Sequence, residues 1–468
     1  MDKPTHPARN AKKNTVGGKA RHNSEQAHAG QKHAVVPARD AAFRILLIVE
    51  KEKKHSDDLL RTRTVNRLTP ADRNLATALV LGVLRWQKML DAQLQQFLKR
   101  PNAKLDVEVR VALRLGAFQL QHMDRIPARA AIDESVELTK SAGHRFASGM
   151  VNAVLRRFAA LPRESSADAA LSAHPAWMVE RWQKFYGDAA AQQICEHGQK
   201  QPRVALRLTS ADSAQATVDL QPGELLTAAR ILHSSDEALE EGVARIQDEG
   251  SQLVAELIGF TQSNTKPKKI LDCCAAPGGK TMILAQRNPD AQIIACEVSE
   301  PRCADLRKRL EPLGQRTEVR CTDASLLHEK GQYDLVLADV PCSGTGTLGR
   351  NPEIRHRLTA DDLLRQAERQ RAILKAAFDA LKPGGRLIYS TCSLEPEENE
   401  QVVSAVLGEN LQARIVSLSE RVEELRSAQI LTQTGADSLM NALTPEGYLR
   451  LLPGALPTDG FFIAQITR

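Results

Sequence analysis

The sequence predicts a multidomain protein: an all-α bundle, a small α/β connector, and a C-terminal α/β domain built on a doubly wound sheet. Three observations predict it. Residues 37–160 repeat apolar side chains near the 3.6-residue period of a helix. From about residue 240 the texture changes to alternating strands and helices, as in a parallel sheet covered on both faces. One strand–helix junction, KKILDCCAAPGGKTMILAQ at 268–286, carries two adjacent glycines where the chain turns. At 468 residues the chain is long enough for two or three domains with sizeable cores.

Residues 1–36, rich in Lys, His, Gly and Asn, offer almost nothing to bury and are expected to form a disordered basic tail. The bundle at 37–160 follows. Its LTPADRNLATALVLGVLRWQKMLDAQLQQFLK opens with Thr69 as N-cap, Pro70 at the first helical position and Asp72 in the first turn. Leu75, Leu79, Val83, Leu84 and Leu90 then mark the buried stripe. KLDVEVRVALRLGAFQLQHM sets Val107, Val111, Leu115 and Phe118 on one face. IPARAAIDESVELTKSAG runs from a proline start to a Gly143 stop, and RFASGMVNAVLRRFAAL follows. Arg110, Arg114, Arg156 and Arg157 offer either a basic face or an ordinary solvated helix surface. Residues 161–238 are expected to be the connector, with a helix over 174–187 and a strand over 202–210. The doubly wound domain occupies 239–468.

Composition sets outer limits. Lysine and arginine total 63 against 57 acids, a net charge of +6, which by itself fits ordinary solubility as well as nucleic-acid affinity. None of the eight cysteines forms a C-x-x-C pair, and no histidine cluster stands at zinc spacing, so no metal site is expected. Most of the cysteines lie inside apolar runs, where the residue packs as a small hydrophobe, and a reducing cytoplasm is the expected home. No segment reaches the length of a membrane-spanning helix, and the basic N-terminus lacks the apolar run of a signal peptide.

The glycine turn is where chemistry enters. Gly278 and Gly279 let a ligand approach the backbone closely, as β-carbons would not. The turn is neither a P-loop nor G-x-G-x-x-G. The next strand, AQIIACEVSE, ends at Glu297, where an acid binds the hydroxyls of a ribose. The third leads to Asp323, placed to accept from an adenine amino group. The fourth, YDLVLAD, ends at Asp339. A glycine turn followed by three acids at successive strand ends is the layout of an S-adenosylmethionine site, with the turn residues Cys274, Ala275, Ala276, Pro277, Gly278, Gly279 and Lys280 beside the cofactor.

Two further cysteines end apolar runs, in LADVPCSGTG and RLIYSTCSLEPEENE. Together DCCAAPGGKT, DVPCSGTGTLGRNPEIRHR and YSTCSLEPEENE resemble the RNA cytosine-C5 methyltransferases of the Sun (Fmu) family. The ending LLPGALPTDGFFIAQ is similar to that family's final hairpin, and 37–160, FASGMVNAVLRR above all, looks like the NusB-like domain of its ribosomal RNA members. The resemblance covers all but the first 36 residues. It implies a Rossmann-like methyltransferase domain acting on 16S ribosomal RNA, naked or partly assembled into the small subunit; a monomer is expected.

The chemistry explains why two thiols are wanted. C5 of cytosine does not attack a sulfonium methyl unaided. A thiolate adding at C6 breaks the aromaticity and makes C5 nucleophilic; a base must then remove the C5 proton so that the thiol can leave. Spacing alone does not say which cysteine attacks. The resemblance implies Cys392 as nucleophile and Cys342 in adduct release, with Asp339 holding the base and Lys280 balancing charge beside it. Arg350, Arg355 and Arg357 are the expected source of positive field and of phosphate contacts. This sequence departs from the family in having Gly349 before Arg350, Glu297 for the more usual aspartate, and an extra Cys273. The other six cysteines are expected to be structural. Transfer RNA is the alternative substrate, and a non-catalytic RNA-binding scaffold the alternative of another class; an intact Cys392 and glycine turn speak against the scaffold. DVPC, in place of an Asn/Asp-Pro-Pro-aromatic stack, speaks against amino-group methylation.

Overall fold

The computed structural model of the chain describes residues 37–100, 104–162, 167–209, 220–232, 242–259 and 267–468. The expected basic tail lies outside the described residues. The N-terminal bundle contains long helices at Pro37–Glu52, Pro70–Gln95, Val107–His122, Ala128–Ser141 and Ser148–Phe158. The second starts as its sequence dictates: the Asp72 backbone N–H donates to Thr69 Oγ1 at 3.1 Å, satisfying a donor that has no partner within the helix. Leu79, Val83, Leu115 and Phe118 are buried in one core with Leu155 and Phe158.

Two of the four bundle arginines are not a basic face. Arg114 is buried and donates to Asp91 at 2.7 and 2.6 Å and to Glu50 at 2.6 Å, while Arg110 pairs with the same Glu50. Their charge is spent joining three helices. Arg156 and Arg157 remain exposed.

The connector holds helices Ala176–Tyr186 and Asp188–Gln199 and a four-stranded antiparallel sheet in the order β2-β3-β1-β4. Its strands are β1 (Val204–Leu208), β2 (Gln221–Pro222), β3 (Ala229–Leu232) and β4 (Ala244–Ile246). Because β4 pairs with β1, Leu206 opposite Ile246, the sheet runs past the expected boundary at 238. Arg207 of β1 is buried and meets the buried Glu256 of helix Glu249–Gly259 at 2.6 Å. Such a pair fixes the connector to the catalytic domain, since losing either partner strands the other charge.

The C-terminal sheet has the order β10-β12-β9-β8-β5-β6-β7, with β11 on β12. Its strands are β5 (Lys269–Asp272), β6 (Gln292–Glu297), β7 (Thr317–Cys321), β8 (Tyr333–Asp339), β9 (Leu381–Thr391), β10 (Arg414–Val416), β11 (Leu449–Leu451) and β12 (Phe461–Thr467). The strands β7, β6, β5, β8 and β9 are parallel, while β12, β10 and β11 add an antiparallel edge to the expected parallel sheet. Alternation along the strands divides the core: Ile270, Ile293, Leu337 and Ile388 face helix Glu249–Gly259, whereas Leu271, Ile294, Val336 and Leu387 face helix Ala360–Ala380. Strand order reverses between β5 and β8. At such a reversal the connections leave in opposite directions and open a crevice at the strands' carboxyl ends.

Candidate active site

Every strand bordering that crevice delivers one of the expected residues to it. After β5 the chain turns through Gly278, whose φ of 100° lies in the left-handed region that a β-carbon disfavours. Beneath the turn the buried Asp272 accepts from Thr281 Oγ1 at 2.7 Å, and burial, with Asp339 nearby, pushes its carboxyl up to about 6. A cavity of about 340 Å3 opens above, lined by Cys274 and Ala276 of the turn, Glu297, Asp323, Asp339 and both cysteines. Ala275, Pro277, Gly278 and Gly279 complete the turn without lining the cavity. Glu297 accepts from the Ser299 N–H at 2.9 Å, and Asp323 commits Oδ1 to the Ser325 N–H and hydroxyl at 2.9 and 2.8 Å, leaving Oδ2 for a ligand donor.

At the centre Lys280 Nζ stands 2.7 Å from Asp339 Oδ2, and the Ser390 hydroxyl donates to Asp339 Oδ1 at 2.7 Å. Burial alone would lower the Lys280 ammonium; the adjacent carboxylate outweighs it and holds the group above its ordinary value. Charge on the nearby Cys392 also favours the ammonium. The sulfurs of Cys342 and Cys392 are 3.3 Å apart. Hydrogen bonding to Cys392, then burial, pushes the Cys342 thiol well above its usual range.

The two cysteine loops are tied together directly. The Gly346 N–H donates to the Cys392 carbonyl at 2.9 Å, and Gly460 N–H donates to the Gly346 carbonyl at 2.8 Å. A β-carbon on Gly346 would lie 2.5 Å from the Gly460 oxygen, so this approach needs glycine. A residue that sequence reasoning missed lies beneath them: the buried Glu398 accepts from the Ser343 N–H at 2.8 Å and from the Ser393 hydroxyl at 2.5 Å. The connector buttresses the second loop, with Trp182 Nε1 donating to Glu395 at 3.1 Å and Leu394 packed among Met178, Trp182 and Ile194. Of the other six cysteines, Cys195, Cys273, Cys296 and Cys303 are buried as expected; Cys273 and Cys274 both line the cavity, and Cys321, on the edge strand β7, is exposed.

The strap 350–357 corrects the reading of its arginines as phosphate contacts. Arg355 is buried and donates to the carbonyls of Arg85, Gly198 and Leu348 and to Gln199 Oε1, the last at 2.7 Å. Arg357 donates to the carbonyls of Val49, Lys53 and Lys54 at 2.7, 2.7 and 2.9 Å, satisfying acceptors at the end of helix Pro37–Glu52. Arg350 bridges Asp459 and Asp248 at 2.7 and 3.1 Å. Glu353 adds bonds from the Ser56 N–H and hydroxyl, both at 2.9 Å, and Arg85 donates to the Gly349 carbonyl at 2.6 Å. Arg355 and Arg357 thus moor the strap to the helical domain, Arg350 ties it to Asp248 and Asp459, and Arg355 is closed off from solvent.

Three family descriptions match consecutive stretches: NusB family over 36–160, a Methyltr_RsmF/B-like ferredoxin-like domain over 174–244, and 16S rRNA methyltransferase RsmB/F over 261–467. The probable ribosomal RNA small subunit methyltransferase B of Bacillus subtilis is 30% identical, over 92% of this chain and 98% of that protein. Its Synechocystis counterpart is 31% identical over 93% of this chain and 100% of that one. The chain belongs to the RsmB/F family of 16S rRNA methyltransferases. The crystal structure of PH0851 shares the fold of the RsmB/F chain, with TM-score 0.73 over 94% of this chain and 100% of that one at 22% identity. Among the described residues, no group of His, Cys, Asp and Glu is arranged to hold a metal ion, and no helix is long and apolar enough to cross a membrane.

Proposed function

We propose that this protein methylates C5 of a specific cytosine in 16S ribosomal RNA, using S-adenosylmethionine and a transient bond between Cys392 and C6. The observation that carries the reading is the pair of thiols 3.3 Å apart at the mouth of a cavity that Asp339 shares. The donor set suits the cofactor. Glu297 would hold the ribose hydroxyls, and Asp323, whose Oδ1 is committed to Ser325, would accept from the adenine amino group through Oδ2. When bound, the cofactor supplies an electrophilic methyl group on a sulfonium.

The chain's residues do the rest. Asp339, held by Lys280 and Ser390, receives the amino edge of the extruded base. The Cys392 thiolate forms the S–C6 bond and breaks the ring's aromaticity, so the electron pair becomes available at C5. After methylation a base removes the C5 proton. The electrons of that C–H bond restore the C5–C6 double bond and expel the Cys392 sulfur. Cys342 stays a neutral thiol and is placed to hydrogen-bond the departing sulfur. The resemblance of YSTC and DVPC to the family's two cysteine motifs supports Cys392 as the attacking group and Cys342 as the one that aids release.

With the strap arginines engaged, RNA contact falls to the helical domain's free surface. The segment 145–158 holds Arg145, Arg156 and Arg157, all exposed, and no acid. Beside them Phe146 is fully exposed, a stacking face for an unpaired base. Naked or partly assembled small-subunit RNA, with loops available, is the substrate form proposed, and eight free cysteines suit the cytoplasm of a cell. A single copy contains the whole proposed site.

The test uses Cys342→Ala and Cys392→Ala proteins incubated with S-adenosylmethionine and 16S RNA and run on a denaturing gel. A nuclease-sensitive adduct with Cys342→Ala alone is expected. An adduct with Cys392→Ala instead reverses the two roles. Preferential methylation of transfer RNA overturns the substrate.

A further inference from the structure

We propose that Glu398 is a positioning residue for the reaction: one buried carboxylate clamps the two cysteine loops together and sets the relation of the two sulfurs. The inference rests on the roles just proposed for Cys392 and Cys342. Glu398 has no exposed surface. Its Oε1 accepts from the Ser343 N–H at 2.8 Å and from Gln370 Nε2 at 3.0 Å; its Oε2 accepts from the hydroxyls of Ser393, at 2.5 Å, and Ser343. Ser343 directly follows Cys342 and Ser393 directly follows Cys392. The same side chain therefore holds the residue next to each thiol. Gln370 extends the clamp by donating also to the Pro341 carbonyl at 2.9 Å, on the other side of Cys342. From below, Tyr389 fixes the Glu398 backbone by donating to its carbonyl at 2.5 Å.

The charge arrangement separates this from ordinary loop packing. Neighbouring acids are each neutralised: Glu395 and Glu397 by Arg181, Glu400 by Arg450. Glu398 has four neutral donors and no ion pair among the described residues. Burying a carboxylate without a cation is costly, and a loop that only needed joining would be served by an amide or an apolar contact. A negative charge placed here acts on the sulfurs instead. It disfavours ionisation of the nearby Cys342, one of the influences that raise that thiol. Position and charge serve one end: one sulfur attacks and the other stays protonated within reach of it.

The experiment compares the full-length protein with Glu398→Gln in methyl transfer to 16S RNA. Because misplacing a reacting group by an ångström is costly, kcat is expected to fall by about ten- to a hundred-fold, with KM for RNA and cofactor little changed. The alkaline limb of the kcat profile is expected to move to lower pH, because Cys342 then ionises more readily; a merely structural role would not move it. Adduct trapped by Cys342→Ala should also form more slowly when Glu398→Gln is added. If Cys342→Ala alone traps no adduct, the reading of the cysteines fails. If it does trap adduct and Glu398→Gln changes neither its rate nor the pH profile, the positioning role is wrong. Should Glu398→Gln not fold, Ser343→Ala and Ser393→Ala each remove one donor from the clamp. Both are expected to lower kcat without changing KM, and unchanged kcat in both overturns the proposal.

Discussion

The sulfur atoms of Cys342 and Cys392 stand 3.3 Å apart although 50 residues separate them in the chain. Each belongs to the loop that follows a parallel strand, β8 for Cys342 and β9 for Cys392. Adjacent parallel strands end on the same side of the sheet, so pairing β8 with β9 delivers both loops to one place. The final approach is made by backbone, through Gly346 and Gly460.

Gly346→Ala tests that approach. The added methyl lies 2.5 Å from the Gly460 oxygen and 2.8 Å from the Cys392 oxygen, and neither atom can rotate away as a side chain would. The cost to stability is expected to be about 1–3 kcal/mol, as for other overpacked sites. Methyl transfer should fall about 100-fold, because a small displacement of a reacting group suffices for that. Calorimetric binding of S-adenosylmethionine should remain near that of the unmodified protein, because the glycine turn is untouched. Lost cofactor binding would show that the cofactor is held in part from the cysteine side of the cavity that turn and cysteines share.

Lys280→Met leaves Asp339 without its cation. The pair is partly exposed, 15% and 24% for the two side chains, so the loss is moderated by water. A destabilisation of about 1–3 kcal/mol is expected, the range for leaving one member of a polar pair unsatisfied. Methylation should fall about 100-fold or more, as when a preorganised electrostatic group is removed. Denaturant unfolding and single-turnover rates, measured on the same preparation, separate the two effects. A variant with full activity would remove Lys280 from the site.

How much of this was legible depended on how local each signal is. The Thr69 cap, the helical stripe through Leu79 and Val83, and the strand–turn–helix around Gly278 are written in adjacent residues, and the structure has them where the sequence placed them. Strand-end acids follow from the same alternation. Arg355 was misread because a charged run looks like surface in one dimension. Its partners, the carbonyls of Arg85 and Gly198, come from two other domains, and no local pattern announces a buried guanidinium. Glu398 was missed for the same reason: within EPEENE it is indistinguishable from its solvated or ion-paired neighbours until Ser343 is folded against it. The length of the connector sheet was misjudged because β4, a strand of three residues, has too short a pattern to read.

The strap also predicts a pH effect. His356 Nε2 lies 2.7 Å from the Leu84 carbonyl, and burial, with Arg355 adding to it, pulls the imidazole down to about 4. A base whose folded value lies below its unfolded value binds fewer protons when folded, so its contribution to stability is complete above about pH 6.5 and is lost as pH falls towards 4. The loss amounts to about 3 kcal/mol at most, from about 1.4 kcal/mol per unit. Asp272 and Asp459, both raised by burial, act with the opposite sign over the same range. The informative quantity is therefore the difference between the unmodified protein and His356→Asn, whose amide still donates to Leu84. That difference should shrink as pH is lowered from 7 to 4.5 in denaturant titrations. A pH-independent difference would show that His356 titrates as it does in the unfolded chain.

Two sets of arginines should separate cleanly by experiment. Arg355→Met strands carbonyls of the Cys342 loop, the connector and the helical domain, and is expected to cost about 3 kcal/mol or more, as when a buried hydrogen-bonded group is lost. Because Arg355 has no access to phosphate, the salt dependence of RNA binding should not change. Arg156→Ala and Arg157→Ala lie on exposed helix surface, so stability should stay within about 0.5 kcal/mol. Each should lower the slope of log affinity against log salt by about 1, the signature of one lost phosphate contact. Phe146→Ala should weaken binding by about 1–3 kcal/mol, the worth of one stacked base, with the salt slope preserved. Filter binding of 16S RNA across a range of salt measures all four. A reduced slope in Arg355→Met, with the slopes of Arg156→Ala and Arg157→Ala intact, would return phosphate recognition to the strap, and the helical domain would then serve only to hold the Cys342 loop in place.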